Sequence, residues 1–542
     1  EFTAAIVSAG SIAATGSVTV STDYTSIADA EIVPAAAGVS VSLVNVGVNL
    51  AIAVARTVAN AYISGNGVSS TVDASAVSVT ATGTVKADAS VGTPYFTIAL
   101  VTVTANFATA ILSAEQNAYI EDVSILAGGN VTVSSVFNQN DEGAVATLGK
   151  NKNLVTQVLG DSEAPTISVT LALYSVNANT AVATSDVTSR AYISGAALST
   201  SGVLLVSADG NAIANANVTT TSSVGYVAIG ITVTYAYANG TFEAFIKSAS
   251  GADIEAGSIE VNNTYTANAQ AVTMQPNAGV GFTVALGAFD ANIATAIVGT
   301  IAKAYIEGDG NVTASGAISV WVDGLAHAIA SNEKPLFELT AISIAANILT
   351  ATLAAQQSAF VSGATLTADS LTVDSSFNDD RLVGYQVGDA AVFINTLQDS
   401  GTLVGIVTVG GVDYTVYNYN DRDYYVRSGE VFVRPGAIAS LGGNGASEDT
   451  VSISLVSVNV DTAVATADTS SMAYIDGGNI EVTNDLAVRN TARSLAEALI
   501  TNDSFSLGLV GMGMALMYAN ADGDRSEERR VGKECTALCR SR

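Results

Sequence analysis

A tripeptide of alanine, an aromatic and a β-branched residue recurs along this chain at near-constant spacing, which confines the fold to some form of repeating array. The copies are Ala61-Tyr62-Ile63, Ala118-Tyr119-Ile120, Ala191-Tyr192-Ile193, Ala244-Phe245-Ile246, Ala304-Tyr305-Ile306, Ala359-Phe360-Val361 and Ala473-Tyr474-Ile475, with a degenerate copy read at Ala5-Ile6-Val7. Successive alanines lie 56, 57, 73, 53, 60, 55 and 114 residues apart, a unit of about 57 with one small insertion and one of a further unit's length. Self-similarity at a fixed period marks solenoids and arrays.

Other landmarks keep the same phase. Pro34, Pro94, Pro165, Pro276 and Pro335 lie 24 to 28 residues before a triplet alanine, each ahead of an alternating apolar run. Proline is tolerated at the first residue of a strand, so these are read as corners. A longer period is also present: 93–140 matches 334–380, with Pro94 over Pro335, Asn106 over Asn347 and Phe137 over Phe377, and 174–195 matches 456–477. An ancestral block of four units is therefore read as duplicated. Its long insertions follow Phe137 and Phe377 and are the variable part.

Apolar content is largely Ala and Val alternating with Thr, Ser and Gly, which is strand chemistry. From Val280 onward, Val280, Phe282, Val284 and Leu286 are expected on one face and Gly281, Thr283, Ala285 and Gly287 on the other. The small-residue face is read as a surface for another coil or fibre. A unit of this length is too short for an immunoglobulin-like sandwich of about 100 residues, yet has room for roughly four to six strands of average length. Unit boundaries lack linkers, so the expected fold is all-β, an elongated β-solenoid of stacked coils with about eight irregular repeats. Strand alternation then puts the triplet aromatics in a ladder along one face, with the flanking Ala and Ile on the other. The expected organisation is solenoid repeats over 1–141, 164–380 and 450–524, a short insertion at 142–163, an inserted β-meander at 381–449, and a disordered tail at 525–542.

A formal net charge of −29 argues against nucleic acid, whose recognition rests on Lys and Arg neutralising phosphates, and against anionic lipid. Apolar stretches such as 277–306 are interrupted by Asp290, Asn292 and Lys303, so no transmembrane helix is expected. The single histidine, His327, has no cysteine or second histidine beside it to share a metal and is read as a repeat position. Asp379, Asp380 and Arg381 are the carboxylate-rich place where glycoside chemistry would be sought, but a loop rich in Asn and Asp is also what a turn requires. No cofactor or metal site is expected; 308–313, 442–449 and 520–524 read as turns rather than calcium loops.

The most distinctive chemistry lies in 381–449. Gly410 and Gly411 separate two alternating runs as a two-residue hairpin turn. Tyr414, Tyr417, Tyr419, Tyr424 and Tyr425 cluster with Arg422, Arg427 and Arg434, residue types enriched at binding hot spots. Tyr414, Tyr417 and Tyr419 are expected on one strand face within reach of Arg422 or Arg427, as a surface for a glycan or protein partner.

Residues 525–535, RSEERRVGKEC, resemble a translated short-read sequencing adapter and hold Cys535, one of the two cysteines; the other, Cys539, follows in the same tail. They are expected to contribute nothing to the fold. The start within a repeat and the missing initiator Met are read as a truncated gene fragment. The sequence of apolar alternation, then Ala-Tyr-Ile-x-Gly, then a valine-rich strand such as 128–135 resembles the repeats of large leukotoxin-type filamentous adhesins of Gram-negative anaerobes. That resemblance implies secretion, surface attachment and a β-solenoid shaft, and no particular receptor. The expected function is a non-enzymatic structural or adhesive segment of a secreted bacterial surface protein. Its partners would be host or matrix glycans or proteins, or further copies in a fibre. A β-helical polysaccharide lyase or hydrolase and an outer-membrane β-barrel are the alternatives.

Overall fold

A computed structural model describes every residue except 8–9, 34–38, 66–69, 93–95, 141, 150–168, 220–221, 275–281, 333–336, 380, 386–389, 420–421, 442–449, 501–503, 508–509 and 526–542. The five corner prolines lie outside the described residues, as does the tail beyond Arg525.

The chain is an all-β solenoid in which one sequence unit makes one coil. The room for four to six average strands is filled instead by three, two of them several times the usual length. A coil opens with a strand of 26 or 27 residues, as in Phe96–Glu121 or Ser222–Ser248. A strand of about four residues follows, as in Ser124–Ala127, and then a strand of 16 or 17 residues, as in Ala76–Val91 or Ser258–Met274. Equivalent strands of successive coils pair in parallel, giving three stacked sheets. At about 3.3 Å per residue, a straight 26-residue strand spans about 85 Å, so each coil is broad.

The corner after the long strand explains the Gly of Ala-Tyr-Ile-x-Gly. Gly195, Gly363 and Gly477 have φ of 61°, 73° and 68°, left-handed backbone that glycine adopts without penalty. Where the sequence has Asp122 instead, that residue takes φ 50°, which Asp tolerates better than most.

The long sheet stacks its triplets in register. Tyr62, Tyr119, Tyr192, Phe245, Tyr305, Phe360 and Tyr474 form one ladder, with ring centroids 4.7–5.0 Å apart and planes within 5°. Ala61 and Ile63 beside Tyr62 are fully buried, as alternation requires. The 114-residue spacing is a single coil, since Ala359 pairs directly with Ala473. The degenerate copy is offset by one from the sequence reading: Ala4, Ala5 and Ile6 pair with Ala61, Tyr62 and Ile63.

The interior belongs to small side chains, which reverses the expected faces. Ala294 and Ala296 lie in the core and Ala285 and Ala288 are also buried, whereas Leu286 and Phe289 are 49% and 40% exposed. Alanine on the inner faces lets long sheet and return sheet approach closely, and a large residue fits only where its neighbours yield. On the inner face of the return sheet aromatic and glycine alternate coil by coil: Tyr24, Gly83, Phe137, Gly210, Tyr265, Gly324 and Phe377 occupy one register row. The four rings are 5% exposed or less. Tyr24, Phe137 and Tyr265 each pair with a glycine of the next coil, so the row repeats every two coils as far as Phe377, which pairs with Ala492.

Buried polar groups are paired along the stack as well. Asn49 donates its amide to the Asn106 carbonyl at 2.8 Å and Asn106 to that of Asn179 at 2.9 Å; beyond Thr232 in the same register position, Asn292 donates to Asn347 at 3.0 Å and Asn347 to the Asp461 carboxylate at 2.8 Å. The duplicated blocks share a second device. Gln116, Ser135 and Ser189 form a buried cluster at 2.9 and 2.8 Å, and Gln357, Ser375 and Ser471 repeat it at 2.8 and 2.9 Å.

Candidate functional site

Both insertions lie within, not beside, the return strand. Val131–Phe137 resumes as Ala144–Leu148, which pairs with 87–91 and 214–218, so 144–148 of the expected 142–163 insertion is solenoid strand. Ser370–Phe377 resumes as Ala437–Leu441 on 328–332. Each interruption starts with an asparagine and ends with a glycine. Asn138 and Asn378 take φ 49° and 52°, and their carboxamides pair with the N–H and C=O of one neighbouring-coil residue. For Asn378 these bonds are 2.8 and 2.9 Å to Ala326; for Asn138 they are 2.6 and 2.8 Å to Val85. Gly143 and Gly436 then return their carbonyls to Ala87 and Ala328. The side chain thus replaces the ladder bonds lost where the backbone leaves the sheet. Asp379 is exposed in a turn, as expected, whereas Asn138 and Asn378 are buried and Arg381 is ion-paired with Asp323.

The second insertion is an antiparallel meander, as expected, with an unexpected helix, Ala390–Ser400. Its central hairpin joins Thr402–Val409 to Val412–Tyr419 through Gly410 and Gly411, φ 57° and 76°. Three further strands, Arg422–Arg427, Glu430–Val433 and the short Val383–Gly384, complete it.

Tyr414, Tyr417 and Tyr419 do not share a face. A separation of three residues on a strand puts Tyr414 opposite the other two. Tyr414 packs with Val409, Val416 and Tyr425, with Arg427 over its ring at 5.9 Å. Tyr417 and Tyr419 pack against the core formed by Tyr385, Phe393, Leu397 and Tyr424 of the insertion with Ile329 and Ile438 of the solenoid. Tyr424, Tyr425 and Arg422 are only 0%, 6% and 5% exposed. Most of the proposed surface is therefore the insertion's own core. Arg422 is its anchor to the stack: it lies between Tyr385 and Tyr424 at 5.8 and 5.9 Å, donates to Tyr385 Oη at 3.2 Å, and is ion-paired with Glu497 of the last described return strand.

Where the insertion meets that strand a polar cleft of ≈ 260 Å³ opens. Arg422, Asp423, Tyr425 and Arg434 line it from the insertion, and Arg493 and Glu497 from the stack. Arg434 caps the Tyr425 ring at 5.3 Å and donates to its hydroxyl at 3.2 Å. Sequence reading names Arg434 only as part of the tyrosine cluster and does not single out Arg493 or Glu497; only the folding back of the insertion brings the three together.

A second, apolar feature crosses the long sheet. The pairing skips the same position in each coil, at Leu43, Leu100, Leu173, Tyr226, Leu286, Ala341 and Leu455. The five from Leu173 onward, with neighbours such as Leu171, Val284 and Leu339, line a groove of ≈ 1040 Å³ running across the coils.

His327 sits on the outer face of the return sheet beneath the insertion, 3% exposed, with Gln270 Nε2 at 3.4 Å from its Nε2. Burial pushes its pKa down from 6.5 to about 3. Below pH 6.5 the unfolded chain takes up a proton that the folded chain refuses, so stability falls with pH until about 3. At pH 4 this amounts to about 3 kcal/mol. His327→Gln is therefore expected to lose less thermal stability than the wild type between pH 6.5 and pH 4. Asp209, Asp323 and Asp374, raised by burial, contribute with opposite sign but equally to both proteins. Parallel melts at several pH values read the difference.

No family model, no curated protein and no solved structure matches this chain.

Proposed function

We propose that the chain is a non-enzymatic structural and adhesive segment of a secreted bacterial surface protein, with the stacked coils as scaffold and the second insertion as the element presented to partners. The observation that carries this reading is the unbroken register of the long sheet, in which the aromatic ladder continues past both interruptions of the return strand. Such a stack tolerates an insertion without losing its own contacts, because each coil binds only its neighbours. The aromatic ladder is a structural element in this reading, since rings stacked face to face cover the faces a sugar would need. A membrane barrel requires closed antiparallel strands, and the pairing along this stack is parallel.

The test exchanges 378–436 for the short bridge 138–143, whose Asn and Gly ends already match. The exchanged protein is expected to keep its β-sheet circular dichroism and lose adhesion of coated beads to matrix or glycan surfaces. Release of reducing ends or unsaturated uronides from acidic polysaccharides by the wild type would instead favour the lyase or hydrolase reading. We further propose self-association through the apolar groove. Leu286→Glu is then expected to reduce the sedimentation coefficient at high salt, where repulsion between acidic copies is screened.

A further inference from the structure

Cations are scarce in this protein, and their placement is informative. Of the 20 Lys and Arg, six lie at 525 or beyond, leaving 20 − 6 = 14, and four of these 14 gather at the root of the second insertion: Arg381, Arg422, Arg434 and Arg493. Two are already neutralised, Arg381 by Asp323 and Arg422 by Glu497. Arg493 is exposed and, among the described residues, in no ion pair, and it lines the polar cleft together with Arg434.

The cleft combines donors and acceptors. Arg493 supplies guanidinium N–H groups suited to bidentate capture of a carboxylate, and the Arg434 guanidinium, which donates to the Tyr425 hydroxyl and the Arg381 carbonyl, adds positive charge beside it. Asn418, held by its own bond to Asp423 at 2.8 Å, and the Tyr425 hydroxyl supply further polar atoms, while Asp423 and Glu497 can accept from hydroxyls. Apolar wall is limited to Val433 and Leu495. A peptide carboxyl terminus would need an apolar pocket for its last side chain, whereas a polyhydroxylated ring needs acceptors as well as donors around it. The ≈ 260 Å³ volume is on the scale of one or two sugar rings.

We infer that this cleft binds a carboxylate-bearing sugar unit of an acidic polysaccharide, with Arg493 on the carboxylate beside the Arg434 charge and Asp423 on the ring hydroxyls. The inference rests on the adhesive reading for its biological role, but its binding test stands independently of adhesion.

The test is titration calorimetry of the full chain with trigalacturonate, with its methyl ester as neutral control and a short peptide carboxylate as competitor. Binding is expected for the acid and at least tenfold weaker for the ester. Arg493→Gln, on an exposed side chain, is expected to weaken it at least tenfold with an unchanged melt, and Arg493→Lys to restore part of it. Equal binding of acid and ester, full binding by Arg493→Gln, or tighter binding of the peptide carboxylate overturns the assignment. Absence of trigalacturonate binding at millimolar concentration does the same, and if beads still adhere, only the sugar assignment falls and the adhesive reading stands.

Discussion

Gly324→Ala is expected to destabilise the stack by about 3 kcal/mol or more, the upper range for overpacking a filled core. A Cβ at this position falls well inside van der Waals contact with Cε1 and Cζ of Tyr265 and with Oε1 of Gln357. Neither neighbour can yield. Tyr265 is fully buried between the sheets, and Gln357 is held by Ser375 at 2.8 Å and accepts from the Tyr265 hydroxyl at 3.2 Å. If the alternation of ring and glycine is the cause, Tyr265→Ala combined with Gly324→Ala will cost less than the sum of the two single changes, because the ring that clashes is gone. Urea titrations of the four proteins give the coupling. Additive losses would remove the alternating row as an explanation for glycine at this position.

Asn378→Ala is expected to cost about 3 kcal/mol, since it leaves both the N–H and the C=O of Ala326 without their partner and places a Cβ-bearing residue without a local polar group at positive φ. Asn378→Asp keeps the acceptor and loses the donor, so it should fall between. Amide exchange at Ala326 locates the effect: the site should open first in the alanine variant, while the aromatic ladder remains protected.

These two positions show where the sequence was legible. The triplet could be read because a stacked coil turns a constant spacing directly into a column of neighbours, as Tyr119 on Tyr62 demonstrates. The row of Tyr24, Gly83, Phe137 and Gly210 is the same kind of column, but its residue type changes at every coil and its spacings run from 54 to 73 residues. Only pairing reveals it. The insertion was located at Phe377 and its glycine turn was readable, because turn chemistry is local. Burial of Arg422 and Tyr424 was not, since it depends on a helix and on Ile329 and Ile438 from the solenoid. The faces of Tyr414, Tyr417 and Tyr419 could have been told apart from their odd spacing alone.

The breadth of each coil changes what duplication does to this chain. Adding a unit of about 57 residues raises the stack by one strand spacing, about 4.8 Å, whereas the same residues in an α-helix would extend about 85 Å. Repeats of this kind give little reach and much area. A gain or loss of a single coil would exchange a ring for a glycine in the alternating row and put like against like, so coils should be gained and lost in even numbers. The duplicated block of four units is a parity this row permits.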